Sequence, residues 1–204
     1  MSGTNKITGS FLVIIGALLW ATDSLFRSQL VQNYSPLFIV FITHLLSLAI
    51  MLPICFRHKS EFKKFKRKHW TSLLFLSIGG SILAMIFFTE AFATAKNYTV
   101  PILVQKLQPV IAICFAGLLL KEKLDKSFFF WAGVAIVGGF YVSFDSISSL
   151  SALTYQEIRP ILLALGSATI WGGCTISGRV LSQDFSPSFV TSVRYTLAAI
   201  FLAI

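Results

Sequence analysis

The chain has 204 residues, of which 55% are apolar and 12% charged, and a mean hydropathy of +0.79. Soluble domains average about a quarter charged residues, and a chain this size cannot hide so many runs of Leu, Ile, Val and Phe in one core. A soluble globular domain is excluded, and the lipid bilayer is left as the solvent for most of the chain.

The formal net charge of +9 is unevenly spread, because seven of the seventeen Lys and Arg residues fall between Arg57 and Lys68. Such a cluster suits nucleic acid, anionic lipid or an orientation signal. Between two apolar spans the orientation reading prevails, since Lys and Arg in short loops stay cytoplasmic. No nucleic-acid partner is expected. Cys55, Cys114 and Cys174 are isolated in apolar runs, without metal-ligand or paired spacing, and read as packing residues. The first apolar run is too long for the core of a signal peptide and is read as a retained helix.

A bilayer-crossing helix needs about 20 mostly apolar residues. On that measure the expected spans are 8–30, 36–56, 70–95, 99–120, 127–146, 160–181 and 187–204. Ionisable residues well inside a span cost about 2.5–3.5 kcal/mol each on insertion scales and are functional candidates by default. The first span carries Trp20 away from the interfacial belts, then Asp23 and Arg27 four residues apart on one face. That pair serves a site, or it merely neutralises Asp23 while Arg27 reaches out of the bilayer. The second span carries a lone His44, which suits hydrogen-bonded packing or a proton relay. Glu90 lies late in the third span, near the outer interface.

The fourth span reads Pro101-Ile-Leu-Val-Gln105-Lys106-Leu107-Gln108-Pro109. Each proline removes a ladder hydrogen bond, and in lipid the freed carbonyl must be satisfied by protein or cavity water. Gln105 and Gln108 share the face of the two prolines, so this helix is expected to line a polar cavity with Lys106 beside it. Ala135, Gly139 and Ser143 form a small-residue stripe along the fifth span, suited to close helix packing or a homodimer. The sixth span carries Trp171 at mid-depth and the seventh Arg194. Trp20 and Trp171 serve equally as packing or as a rigid wall for an organic substrate.

No P-loop, HExxH, dinucleotide turn or GxSxG elbow is found, so neither ATP, a metal, a cofactor nor an enzyme activity is expected. With the 57–68 loop in the cytoplasm, the N-terminus is cytoplasmic too. Twelve basic residues then lie inside and three (Arg27, Lys96, Arg159) outside.

The chain also repeats. A shift of 151 positions places Trp20 on Trp171, Leu30 on Leu181, Gln32 on Gln183, Ser35-Pro36 on Ser186-Pro187, Phe38 on Phe189 and Leu46 on Leu197. Five spans separate the copies, so the second must enter the membrane upside down, as in the inverted repeats of secondary transporters. Residues 1–150 are expected to form one five-helix repeat and 151–204 the start of its inverted, incomplete partner. A complete partner would need about three more spans.

The Trp20 helix followed by Ser35-Pro36, the Gln108-Pro109 helix, the run Leu120-Lys-Glu122-Lys-Leu124 leading into Gly133 and Gly138-Gly139, and the return of Trp171, Ser186-Pro187 and Arg194 resemble the drug/metabolite transporter superfamily in its EamA-like branch. Thr43 stands where the second copy has Arg194. The resemblance implies an all-α membrane protein of two inverted five-helix units, here ending after about seven helices. It implies a central cavity, an inner-membrane location and proton- or exchange-driven movement of small metabolites, with export the expected direction. Trp20, Asp23, His44, Gln105, Lys106, Gln108, Trp171 and Arg194 are the candidate substrate-binding residues. The alternative is a non-transporting membrane binding or scaffold protein, or an inactive truncated product.

Overall fold

The computed structural model describes residues 3–121, 123–143 and 154–204, and among them it holds helices and turns without a strand. The helices are α1 (Gly3–Leu30), α2 (Pro36–Arg57), α3 (Arg67–Thr94), α4 (Thr99–Leu119), α5 (Lys126–Ser143), α6 (Tyr155–Ser182) and α7 (Pro187–Ala203), with a 3-10 turn at Lys59–Lys64. Five of them are long and apolar enough to cross a membrane, namely α1 from Phe11, α2, α3, α4 and α6. The 17-residue α7 and the Ser127–Gly139 part of α5 are shorter and apolar. This is an all-α, multi-pass membrane protein.

The α2 and α7 helices start in the same way. Ser35 and Ser186 hold extended backbone and accept from the amides of Phe38 and Phe189, each at 3.3 Å, while Pro36 and Pro187 occupy the first helical position. A hydroxyl satisfies one orphan N–H, and proline there has no N–H to waste. The α6 helix begins five residues earlier than the expected boundary at 160. Thr154 and Glu157 form a capping box, with the Thr154 amide donating to Glu157 Oε2 at 3.0 Å. Pro160 therefore falls in the second turn, where it removes one ladder bond without ending the helix.

Two spans are irregular at mid-length. The α3 helix widens into a π-helix over Phe75–Leu83, around Gly79 and Gly80. The α4 helix breaks at Lys106 and Leu107 between Thr99–Gln105 and Gln108–Leu119. There the Leu107 amide reaches only to Val104 O at 3.1 Å, a tightened turn, and Pro109 opens the second half.

The bundle packs α2 along α7 and sets α6 against α3 and α4. At one end the 57–68 loop meets the α6–α7 turn. Phe62 and Phe65 stack on Phe185 and Phe189, with centroid separations of 4.6 to 5.8 Å for the pairs Phe65–Phe185, Phe62–Phe189 and Phe65–Phe189. Glu61 accepts from the Ser186 hydroxyl at 2.6 Å and its amide at 2.9 Å. His69 is buried, its Nδ1 accepts from the Lys66 amide, and Nε2 donates to Asp184 at 3.0 Å. At the other end Arg159 donates to Glu90 at 2.7 Å and Lys96 to Glu157 at 3.4 Å. The loops that an alternating path puts on one side of the bilayer do meet one another.

Of the small-residue stripe of α5, Ala135 is exposed, and a Cβ built on Gly139 would meet nothing within 4 Å. Residues 144–153, which include the end of the expected 127–146 span, lie outside the described residues.

Candidate functional site

A cavity of about 400 Å³ opens between α1, α2, α3, α4, α6 and α7. One wall is aromatic. Trp20 lies edge to face with Trp171 at 5.4 Å, and Phe88 stands 6.2 Å from Trp20 and 5.5 Å from Trp171 between ring centroids. Trp171 is held from behind, because its indole N–H donates to the Gly80 carbonyl at 2.8 Å. That bond crosses from α6 to the π-helical stretch of α3. Close approach is possible because Gly80 has no side chain, as a Cβ there would stand 2.7 Å from Cys174 Sγ.

The other walls are polar. Asp23 and Arg27 form a two-pronged ion pair, with Arg27 Nε and Nη2 3.0 and 2.9 Å from Asp23 Oδ2. Arg27 Nη1 also donates to the Thr89 hydroxyl at 2.5 Å, and the guanidinium lies 6.0 Å from the centre of the Phe88 ring. Arg27 is 2% exposed, so it does not reach outward to the interface. Four hydrogen bonds and an aromatic face hold it inward, and such charge-assisted, bidentate bonds are the strong ones. Asp23 lines the cavity and keeps nearly half of its side-chain surface exposed.

Arg194 is held less completely. Its Nη2 donates to the Tyr195 hydroxyl at 3.4 Å and its Cζ lies 4.9 Å from that ring centre, while its buried Nε has no hydrogen-bond partner among the described residues. Asp23 and Arg27 cancel, so the cavity keeps the positive charge of Arg194. Buried donors without partners are rare in folded proteins, and the residue that carries this one lines the cavity.

Five of the eight residues expected from the sequence line this cavity: Trp20, Asp23, Gln108, Trp171 and Arg194. Gln105 is buried one turn behind and donates to Gln108 Oε1 at 2.7 Å, fixing which end of the Gln108 amide is free. His44 is fully buried against Tyr195 at 5.6 Å between ring centroids, with Nδ1 on the Val40 carbonyl and Nε2 unpartnered among the described residues. It backs the cavity without lining it.

Lys106 departs from expectation. It sits in the break of α4, exposed, and does not line the cavity. It lies about 100° round the helix from Gln105 and on the side away from Gln108, and those two lie three apart on one face.

Phe88 and Tyr195 were not singled out by the sequence, because an apolar span offers nothing to mark one aromatic over another. Tyr195 does have a signal in hindsight, since the 151-position shift pairs it with His44. Two pairs related by that 151-position shift, Trp20 with Trp171 and His44 with Tyr195, come into ring contact.

Residues 7–144 match the family described as the EamA-like transporter family. The chain belongs to that family. It is also 31% identical over 200 residues to the riboflavin transporter ImpX of Fusobacterium nucleatum subsp. nucleatum, covering 96% of this chain and 66% of that protein. The chain thus spans slightly less than two thirds of the relative's length. No solved structure matches it significantly. In this family member, the aromatic wall and its facing charges line one cavity bounded by six helices.

Proposed function

We propose that this EamA-like protein is a secondary transporter of a small metabolite with a flat heteroaromatic ring, of the flavin class, which binds against Trp20 and Trp171. The observation that carries the reading is the cavity itself. About 400 Å³ lies within the range of roughly 300–1,000 Å³ usual for ligand pockets. Its indole and phenyl faces suit a planar ring, and Gln108 and Arg194 supply donors for ring carbonyls and nitrogens. The name of the relative, a riboflavin transporter, supports this chemical class.

The movement is driven by protons or exchange, and the mechanism is alternation of two inverted units, residues 1–150 and 151–204 onward. A residue touches its repeat mate only close to the axis that relates the copies. The Trp20–Trp171 and His44–Tyr195 contacts support an axis through the cavity, where a site accessible from either side has to lie. The membrane is the plasma membrane, with the N-terminus and the basic 57–68 loop in the cytoplasm, in keeping with the positive-inside rule. Export is the direction expected from the sequence.

The test uses protein in lipid nanodiscs titrated with riboflavin, read by quenching of flavin and Trp fluorescence, followed by flux in vesicles of both orientations with and without a proton gradient. Saturable quenching that Arg194→Gln weakens about tenfold, as expected for a lost hydrogen bond from a charged donor, together with gradient-dependent flux, is the expected result. Binding without flux would place the protein among non-transporting membrane binding proteins. Absence of quenching would remove the flavin class.

A further inference from the structure

A second cavity, of about 340 Å³, adjoins the first and shares Gln108, Trp171 and Arg194 with it. Its character differs. Beyond the shared residues it is bounded by α6, α7 and Leu76 of α3 and offers the hydroxyls of Thr175, Ser182 and Thr191, where the first cavity offers rings and an ion pair. The Thr175 hydroxyl donates to the Trp171 carbonyl at 3.1 Å and Ser182 to the Arg179 carbonyl at 2.9 Å. With their protons committed, both oxygens face a ligand as acceptors, since a hydroxyl has one donor and two lone pairs.

We infer that this second cavity is a subsite for a polyhydroxylated tail, whose O–H groups donate to Thr175 and Ser182 while the ring to which it is joined lies against Trp20 and Trp171. The inference rests on the flavin-class reading of the first cavity and adds the part of the substrate that leaves it. Gln108 and Arg194 stand where the two cavities join, so their donors meet acceptor atoms at the junction of ring and tail. A phosphate at the far end of the tail, beyond the Arg194 junction, suits the chamber less well, because its oxygens bring lone pairs to the lone pairs of Thr175 and Ser182.

Three probes separate the possibilities in nanodiscs: lumichrome, which is the ring without a tail; riboflavin, the ring with a polyol tail; and flavin mononucleotide, whose tail carries phosphate. Riboflavin is expected to bind at least tenfold more tightly than lumichrome and more tightly than flavin mononucleotide. Thr175→Val and Ser182→Ala are each expected to weaken riboflavin about three- to tenfold, the range for one neutral hydrogen bond, and to leave lumichrome unchanged. Retained lumichrome binding shows that each variant is folded. Equal affinity for lumichrome and riboflavin, tighter binding of flavin mononucleotide, or equal losses for both tailless and tailed probes would overturn the subsite while the ring site stands. Failure of all three probes to bind the unaltered protein would instead remove the reading of the ring site, and the subsite with it.

Discussion

Trp20 and Trp171 meet edge to face with ring centroids 5.4 Å apart, although 151 positions separate them in the chain. They come from α1 and α6, and Phe88 of α3 closes the group behind both. A tilted aromatic pair contributes about 0.5–1.5 kcal/mol beyond the area it buries. The contact also sets the attitude of the two indoles toward the cavity, so each Trp acts on a ligand directly and through the other.

Replacing Trp20 or Trp171 with Ala is therefore expected to weaken the flavin probe roughly tenfold each. The double variant should lose less than the product of the two, because each single change already removes the support of the partner ring. Equilibrium quenching on the four proteins of the cycle measures this coupling. Strict additivity would show that the two rings touch without cooperating in binding.

Gly80 and Gly172 let three helices close on one another. A Cβ on Gly80 would stand 2.7 Å from Cys174 Sγ, and one on Gly172 2.9 Å from Ile111 Cγ2 and 3.3 Å from the Ala112 backbone nitrogen. Overpacking of this kind costs about 1–3 kcal/mol. Gly80→Ala and Gly172→Ala should each lower the thermal midpoint in detergent, Gly172→Ala more surely because it meets backbone. Gly133→Ala, with open space around it, should be neutral or slightly stabilising through better helix propensity.

Helix α4 separates two neighbours that look alike in sequence. Gln108→Leu removes a polar group of the cavity wall and leaves the buried Gln105 amide without its 2.7 Å acceptor, so probe affinity should fall about five- to tenfold. Lys106→Leu touches an exposed side chain outside the cavity lining and should leave affinity within twofold of the unaltered protein. Membrane levels of both variants, checked by blotting, should be normal. A large loss in Lys106→Leu would put that lysine back in the site.

The contact between the basic loop and the α6–α7 turn depends on pH in one direction. Burial raises the Glu61 carboxyl, but hydrogen bonds from the Ser186 hydroxyl and amide, with Lys64 and His58 nearby, outweigh it and hold the group below the ordinary carboxylate range. A carboxylate whose folded pKa is depressed adds stability that is complete above its unfolded pKa and lost as pH falls through the folded one. Thermal stability should therefore be flat in Glu61 from neutral pH down to the ordinary carboxylate range and decline below it. Glu61→Gln should lower stability near neutrality and flatten that decline. Melting curves across a pH series distinguish the two proteins, and identical acid limbs would show that Glu61 does not anchor the turn.

Orientation is open to labelling. With the 57–68 loop in the cytoplasm, a cysteine at Lys64 in a background cleared of Cys55, Cys114 and Cys174 should resist a membrane-impermeant maleimide on intact cells. One at Asn97, in the turn between α3 and α4, should react. The reverse pattern would invert the topology.

Much of this molecule was readable in one dimension because the bilayer makes local sequence decisive. A span must satisfy its own backbone, so length and apolarity alone mark α1 to α4 and α6, while Ser35-Pro36 and Ser186-Pro187 mark two helix starts by side-chain chemistry within three residues. The same locality made Asp23, Gln108 and Arg194 stand out, since a polar residue in an apolar run has a cost that needs an explanation. The capping box at Thr154 and Glu157 was equally local but masked by Pro160, a stronger breaker in most settings. What tertiary structure alone decided is where each of these points. Whether Arg27 turns inward to Thr89 or outward to the interface depends on a partner 62 positions away. Whether Lys106 faces the cavity with Gln108 or stays exposed depends on which side of α4 the neighbouring helices cover. The aromatic wall arises only when α1, α3 and α6 converge, because side chains that are interchangeable as apolar residues become distinct only once their neighbours in space are set.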